Sequence, residues 1–528
     1  MVTAAPMRGA LVHLRGVAMV GLEAYPVGIE CARSPGLPGL RLVGLPGVAV
    51  REAEERMRTA VQRSGFSWPR DRVVINLAPA DLPKGGTGFD LPLALAVLAV
   101  TGQLNPKRVE DLSAFGELGL DGRIRSPRGQ VTAARGARDA GAGRIMVAAH
   151  GAGEAALVPG IDVVGVADLI EAVDVLEGRR DVRQVAPITT STARRSLDLA
   201  DVRGQPIARR AVELAAAGGH HVLLIGPPGC GKTMLAHRLH GLLPDLSHDE
   251  AIDVAEIASI AGERRPDDAL SLDPPIRAPH HGATMAALVG GGAGIPRPGE
   301  MTLAHHGVLL LDELLEMPRR VLDALREPLE HGRIVVSRAN ARVEYPARVL
   351  LVAASNGCPC GHLGDSRRPC RCDPAAVERY RARLSGPLLD RIDLQVTVQP
   401  VDGKQLAGPP DGESSELVSH RVASARRRAA QRWASMVGAT AIGRCVNRGV
   451  EPRLARNAAG SKIVGRLVDS LDRLGMSARA VDGCLRVAWT IADVEGDDRL
   501  SEDHVDEAVA YRAMAMDGRG EGPQRGMR

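Results

Sequence analysis

The stretch LLIGPPGCGKTML, residues 223–235, decides how the chain is read. Within it Gly226-Pro227-Pro228-Gly229-Cys230-Gly231-Lys232-Thr233 fits G-x-x-x-x-G-K-[ST], between an apolar run, HVLLIG (221–226), and a segment of helical character. Glycines in such a loop let backbone N–H groups approach phosphate oxygens, and the N-terminus of the following helix adds a favourable field for an anion. In this pattern the Lys232 ammonium reaches the β- and γ-phosphates and the Thr233 hydroxyl binds Mg²⁺, so ATP and Mg²⁺ are the expected cofactors.

Two further apolar runs, GVLLLDE (307–313) and RVLLVAAS (348–355), read as buried strands of a parallel sheet. The first ends in Asp312-Glu313, and an acid at the carboxyl end of a buried strand sits where open α/β sheets bind ligands. Asp312 is expected to hold the Mg²⁺ and Glu313 to polarise the attacking water.

GPPGCGKT, LLLDE and the Asn356 that ends VLLVAASN together resemble the Walker A, Walker B and sensor 1 series of AAA+ ATPases. The resemblance implies that Asn356 positions the water. It implies that Arg391 in SGPLLDRIDL (385–394) is an arginine finger, and that Arg479 in SAR (477–479) is a sensor 2 residue touching the nucleotide from the lid. A finger acts across a subunit boundary, so the resemblance implies a ring of identical subunits, a hexamer in this class. The segment IRAPHHGATMAALVGGGAGIPRPGEMTLAHHGVLLLDE (276–313) resembles the insert of the magnesium-chelatase branch, and RIVVSRANARVEYPARV (333–349) alternates like the hairpin that precedes sensor 1 there. Residues 8–515 as a whole resemble the magnesium-chelatase-like proteins of the ComM/YifB type, which implies a P-loop AAA+ core of parallel sheet covered by helices on both faces.

The organisation expected around that core has six parts. Residues 1–182 alternate strands such as RVVINLAP (72–79) and RIMVAA (144–149) with helices such as REAEERMRTAVQRSG (51–65), and resemble a Lon-protease-like, ribosomal-S5-like α/β domain. Alignment with that fold puts the nucleophilic serine at Gly88 and the lysine base near Ala133, so no activated nucleophile is expected and the domain is read as non-proteolytic. A linker (183–199), the ATPase core (200–401), a second linker (402–416), a helical lid (417–515) and a disordered tail (516–528) complete the chain.

Cys358, Cys360, Cys370 and Cys372 fall within CPCGHLGDSRRPCRC, 15 residues, in two close pairs. In a cytosolic chain such crowding points to tetrahedral Zn²⁺ in a structural role, with a redox pair as the alternative. His280, His281, His305 and His306 form two further pairs, read as polar loop contacts rather than metal ligands.

Composition restricts little. The net charge is +4, from 67 basic and 63 acidic residues, which neither demands nor forbids nucleic acid. The sequence has no apolar stretch of ~18 residues and no secretory h-region at its start, so a cytoplasmic protein with no membrane partner is expected. The family resemblance implies a DNA motor, a branch-migration helicase in recombination or DNA uptake. Arg421, Arg426, Arg427, Arg428 and Arg432 crowd one helical stretch and could meet phosphates without sequence preference, or form a solvated charged face. A metal-insertion motor and a protein-remodelling chaperone are the alternative readings.

Overall fold

The computed structural model describes residues 11–44, 47–82, 84–183, 185, 189–192, 197–265, 268–292, 295–338, 341–365, 367–409, 412–437, 446–474 and 477–517. The expected disordered tail therefore lies outside the described residues from 518 onward; before that, the final helix Glu502–Asp517 already runs past the expected lid boundary. Of the expected linker 183–199, residues 184, 186–188 and 193–196 lie outside them too.

The architecture is α/β. The chain opens on a seven-stranded mixed sheet in the order Gly39–Val43, Arg72–Ala78, Glu23–Ser34, Leu11–Val20, Leu112–Phe115, Arg144–Ala148, Asp162–Val166. Alternate residues of Arg72–Ala78 are buried, as expected of a strand covered more fully on one face. The helix Asp90–Val100, DLPLALAVLAV, is apolar nearly all round and buried along its whole length. Its first residue, Asp90, takes a fork of two bonds from Arg56 at 2.9 and 3.0 Å and a third from Leu118 N–H at 3.2 Å, which compensates a carboxylate buried at a helix start.

A five-stranded, wholly parallel sheet follows, in the order Ile276–Arg277, Val308–Leu311, Leu350–Ser355, Val222–Ile225, Leu394–Thr397. The three central strands are the three apolar runs of the sequence, and their side chains are buried on both faces. The hairpin Arg333–Arg338 with Ala341–Pro346 is antiparallel, with Ile334 opposite Tyr345. Helices Ser415–Val437, Pro452–Ala459, Ser461–Leu474, Ala478–Glu495 and Glu502–Asp517 form the helical C-terminal region, whose apolar side chains share one core with the parallel sheet. Residues 402–416 are not plain linker: they include the helix Gly403–Ala407, and Ser415 N–H donates to the Asp198 carboxylate at 2.6 Å, fastening the start of the first lid helix to the start of the core.

The arginines considered for phosphate binding are used inside the molecule. Arg421 pairs with Glu213 at 2.7 Å and Glu413 at 2.6 Å, and Arg426 donates to the Ala216 carbonyl at 2.9 and 2.7 Å. Arg428 donates to the Gly496 carbonyl at 2.8 Å. Arg432 forks onto Asp493 at 3.0 and 2.5 Å with its guanidinium 4.3 Å from the centre of the Trp489 ring. Arg427 remains exposed. This helix joins the core helix Pro206–Gly218 to the lid helix Ala478–Glu495 through cation–π and charge-assisted bonds, and is not a basic face.

The N-terminal domain meets the core through helix Gln130–Asp139 against helix His248–Ala261. Arg135 donates to Asp253 at 3.0 Å and Glu256 at 2.5 Å, and Gly129 N–H donates to the Ser259 hydroxyl at 3.0 Å. Burial works against the Asp253 charge, but His306 and Arg135 outweigh it and hold the carboxyl down at about 2. A carboxyl lowered in the folded state stabilises it above the unfolded value of ~4 and loses that contribution as pH falls through about 2. The expected outcome is that Asp253→Asn lowers the thermal midpoint at pH 7 and that the difference from wild type shrinks steadily below pH ~4; a difference independent of pH in a calorimetric series would contradict this.

Candidate functional site

The phosphate loop leaves the carboxyl end of the central strand Val222–Ile225 and enters the helix Lys232–His240. Gly229 and Gly231 have φ of +76° and +96°, left-handed values that a side chain resists. At Gly226 an added Cβ would lie 2.3 Å from the Val398 carbonyl oxygen, so only glycine fits where the loop crosses the neighbouring strand. Cys230 is buried, and burial pushes its thiol up.

Lys232 is the centre of the cluster. Its ammonium donates to the Gly226 and Pro227 carbonyls at 2.7 and 2.9 Å and to Asn356 Oδ1 at 3.3 Å. Burial lowers its pKa, with Asp312 and Glu313 acting in the opposite sense. The Thr233 hydroxyl donates to Asp312 Oδ2 at 2.8 Å, which brings the two residues read as Mg²⁺ ligands into contact. The donor set is a hydroxyl beside a carboxylate, hard oxygens of the kind Mg²⁺ takes together with waters and phosphate.

Glu313 follows with φ +51°, a conformation that costs a non-glycine residue on the order of 1 kcal/mol and is concentrated at functional sites. Its own N–H donates to Asp312 Oδ1 at 2.8 Å, and its carboxylate lies 2.8 Å from His281 Nδ1. The histidine contact was not legible in the sequence, because nothing local marks one of two adjacent histidines as the partner of an acid 32 positions away.

Thus the structure gathers Gly226 to Thr233, Asp312, Glu313 and Asn356 in one place. It does not bring Arg391 or Arg479 there. Both arginines pair with Glu330, one on each carboxylate oxygen. That cluster lies at the amino edge of the parallel sheet: Arg448 joins it by bonding the Leu329 carbonyl at 3.0 Å and Asp393 at 3.1 Å, and Leu394 N–H bonds the carbonyl of His221, the residue before the central strand. The strand Leu394–Thr397 leads from this edge to Val398 beside Gly226, a rise of roughly 13 Å at ~3.3 Å per residue. A chain's own phosphate loop and its own arginine pair thus occupy opposite edges of one sheet.

The four clustered cysteines lie directly after Asn356. Sulfur separations are 3.5 Å for Cys358–Cys360, 3.6 Å for Cys360–Cys370 and 3.6 Å for Cys358–Cys370, and all four sulfurs including Cys372 lie within 4.8 Å of one another. A tetrahedral Zn²⁺ with Zn–S bonds of ~2.3 Å has sulfur edges of roughly 3.8 Å. Leu363 N–H donates to Cys358 Sγ at 3.3 Å. Backbone N–H groups of Arg371 and His362 hold the Cys360 thiol down at about 6, while burial raises Cys358 to about 12. Such N–H donors stabilise thiolate ligands from outside the metal shell. His305 and His306 form with Asp253 a second group of potential ligands, but Arg135 already occupies Asp253.

In the N-terminal domain Gly88 faces the ring of Phe115: a Cβ there would lie 2.1 Å from Cε2. Ala133 is buried in the helix Gln130–Asp139. Neither position presents a nucleophile or a base.

A loop of this form on a parallel sheet, with an acid at the carboxyl end of the next strand but one, defines a P-loop nucleotide-binding protein. The sequence profile of magnesium chelatase subunit ChlI matches residues 198–406, that of subunit ChlI of Mg-chelatase matches 29–151, and that of its C-terminal region matches 412–512. The chain is 43% identical to YifB of Escherichia coli (strain K12) over 509 residues, 96% of this chain and 97% of that one. It is 41% identical over 515 residues to competence protein ComM of Haemophilus influenzae, covering 96% and 97% of the two chains. A shorter likeness, 31% over 113 residues, joins 21% of the chain to 12% of DNA replication licensing factor mcm2 of Xenopus tropicalis. The chain belongs to the magnesium-chelatase-like AAA+ family, in its ComM/YifB type. Among the described residues no helix is long and apolar enough to cross a membrane.

Lys232→Ala removes the cation from the loop and is expected to weaken binding of a fluorescent ATP analogue by about 2 kcal/mol, roughly thirtyfold, the usual worth of a charge-assisted bond. Unchanged affinity would show that the loop does not hold phosphate.

Proposed function

We propose that the chain is an ATP-hydrolysing ring motor that translocates DNA. The observation that carries hydrolysis is the single cluster of Lys232, Thr233, Asp312, Glu313 and Asn356 at the carboxyl edge of the sheet. In it Lys232 neutralises the β- and γ-phosphates and backbone N–H groups of the loop cradle them. Thr233 and Asp312 hold Mg²⁺, which supplies charge neutralisation between the phosphates when bound. Glu313 accepts the proton of the attacking water, and Asn356 orients that water. His281 contacts one oxygen of the Glu313 carboxylate at 2.8 Å and so restrains its orientation.

Arg391 and Arg479 serve the nucleotide of a neighbouring copy. The support is their shared anchorage on Glu330 at the edge opposite the loop, which suits a head-to-tail ring, a hexamer in this family. The position assigned to Arg479 by resemblance is therefore revised from the chain's own nucleotide to the neighbour's. Cys358, Cys360, Cys370 and Cys372 hold a structural Zn²⁺; the near-tetrahedral sulfur spacing favours this over a redox pair. The N-terminal domain acts as a non-proteolytic scaffold or substrate-binding ring.

DNA as the substrate is supported by the names of relatives, competence for ComM and DNA replication licensing for mcm2. The chain itself offers Arg338 and Arg342, exposed on the hairpin Arg333–Pro346, as cations for a phosphate backbone in place of the lid arginines. The metal-insertion reading has the names of the three matching profiles behind it, and the full-length likeness to a competence protein favours DNA over it.

The deciding assay measures ATP hydrolysis with and without forked DNA at low salt. Wild type is expected to be stimulated by DNA, while Glu313→Gln binds ATP normally and turns over at least a hundredfold more slowly, the usual worth of a general base; indifference to DNA, with stimulation by unfolded protein instead, would transfer the reading to the chaperone. Site-sharing predicts that Lys232→Ala and Arg391→Ala, each inactive alone, regain hydrolysis when mixed, because some boundaries then pair an intact loop with an intact arginine. A mixture as inactive as its components would sink the shared site.

A further inference from the structure

The cysteine loop is not a remote ornament on the core. It begins at Asn356, whose side chain accepts from Lys232, and within five residues it returns to the phosphate loop. Gly361 closes that return: its N–H bonds the Cys358 carbonyl at 3.0 Å, its φ is +82°, and an added Cβ would stand 3.1 Å from both Cδ and Cγ of Pro228. Cys358 and Cys360 therefore form a knuckle whose next residue packs directly on the phosphate loop. On its other side the loop is tied by Arg367, which donates to the Val401 carbonyl at 2.5 Å, just beyond the strand end that presses on Gly226. Arg381, on the helix Pro374–Arg381 that follows the second cysteine pair, donates back to the Gly357 carbonyl at 3.3 Å.

The loop contains few other means of holding this shape. Cys358 is its buried side chain, Cys360, Cys370 and Cys372 are partly exposed, and the residues between them are Gly, Pro, Ser, Asp and Arg with one leucine and one histidine. An apolar core cannot fix such a sequence, so the link between the two cysteine pairs must.

We infer that the tetrathiolate Zn²⁺ is a working wall of the nucleotide pocket: its occupancy fixes Gly361 against Pro228 and Asn356 against Lys232, so zinc and ATP bind cooperatively. This rests on the reading of residues 226–233 as the triphosphate loop. Cooperativity between two ligands is reciprocal, which gives two independent measurements of one coupling.

The test uses the full chain, kept reduced. Zinc content is measured by elemental mass spectrometry, ATP affinity is titrated on zinc-loaded and chelator-stripped protein, and apparent zinc affinity is measured by competition with a chromogenic chelator with and without saturating MgATP. The expected results are one zinc per chain, an ATP Kd raised about tenfold on stripping, and a zinc affinity raised by the same factor with ATP. Lys232→Ala is expected to retain its zinc and to lose the effect of ATP upon it. Cys372→Ser should mimic stripping; if it fails to fold, the chelator competition on folded wild type still decides. Absence of zinc, or zinc and ATP that bind with no influence on one another, would overturn the inference. If zinc-loaded wild type binds no ATP at all, it is the nucleotide reading that fails, with the zinc site left standing.

Discussion

The hydrogen bond from the Thr233 hydroxyl to the Asp312 carboxylate is the tie on which the site depends. The two residues are 79 positions apart and meet only because Val222–Ile225 and Val308–Leu311 stand in one parallel sheet with Leu350–Ser355 between them. Side chains alternate across a strand, so a slip of one residue in either pairing would turn Asp312 to the other face. Register is protected by full burial: every residue of Val308–Leu311 and Leu350–Ser355 is inside. Hydrophobic packing of the strands is thus what gives an electrostatic site its precision.

The same parallel order explains why the charged residues divide into two groups. Lys232, Thr233, Asp312 and Glu313 collect where the strands end, and Glu330, Arg391, Arg479, Asp393 and Arg448 collect where they begin. A carboxylate that holds two guanidinium groups orients both, at modest cost, since charge-assisted bonds exceed what solvent offers. The lid helix Ala478–Glu495 contributes Arg479 from its first turn, capped by Ser477. Any movement of the lid against the sheet therefore moves one member of the arginine pair while the other stays with the strand Leu394–Thr397.

Much of this was legible in the sequence, for local reasons. Continuous apolar runs marked the three central strands, the glycine and lysine spacing marked the loop, and the alternation of residues 333–346 marked a hairpin, because each is a short-range pattern with one structural solution. The cysteines were legible as a cluster because their spacing is itself local. The lid arginines were not: a basic helix reads as a solvated face until its partners are known, and Glu213, Ala216, Asp493 and Gly496 lie far along the chain from the arginines they hold. Glu330 escaped notice for the same reason. An acid among others near the end of REPLEH acquires meaning only when two arginines, 61 and 149 positions onward, converge on it.

The Phe115 ring against Gly88 limits which side chains the N-terminal domain can accept there. A side chain of any size at position 88 would collide with an aromatic group that is itself 3% exposed and packed in the core beneath the strand Leu112–Phe115. Overfilling such a site costs on the order of 1–3 kcal/mol, so a serine introduced alone at position 88 meets that penalty unless the ring moves. Placing any side chain at position 88 therefore calls for a second change that makes room at Phe115, so two coordinated substitutions separate this backbone from one that could carry a nucleophile there.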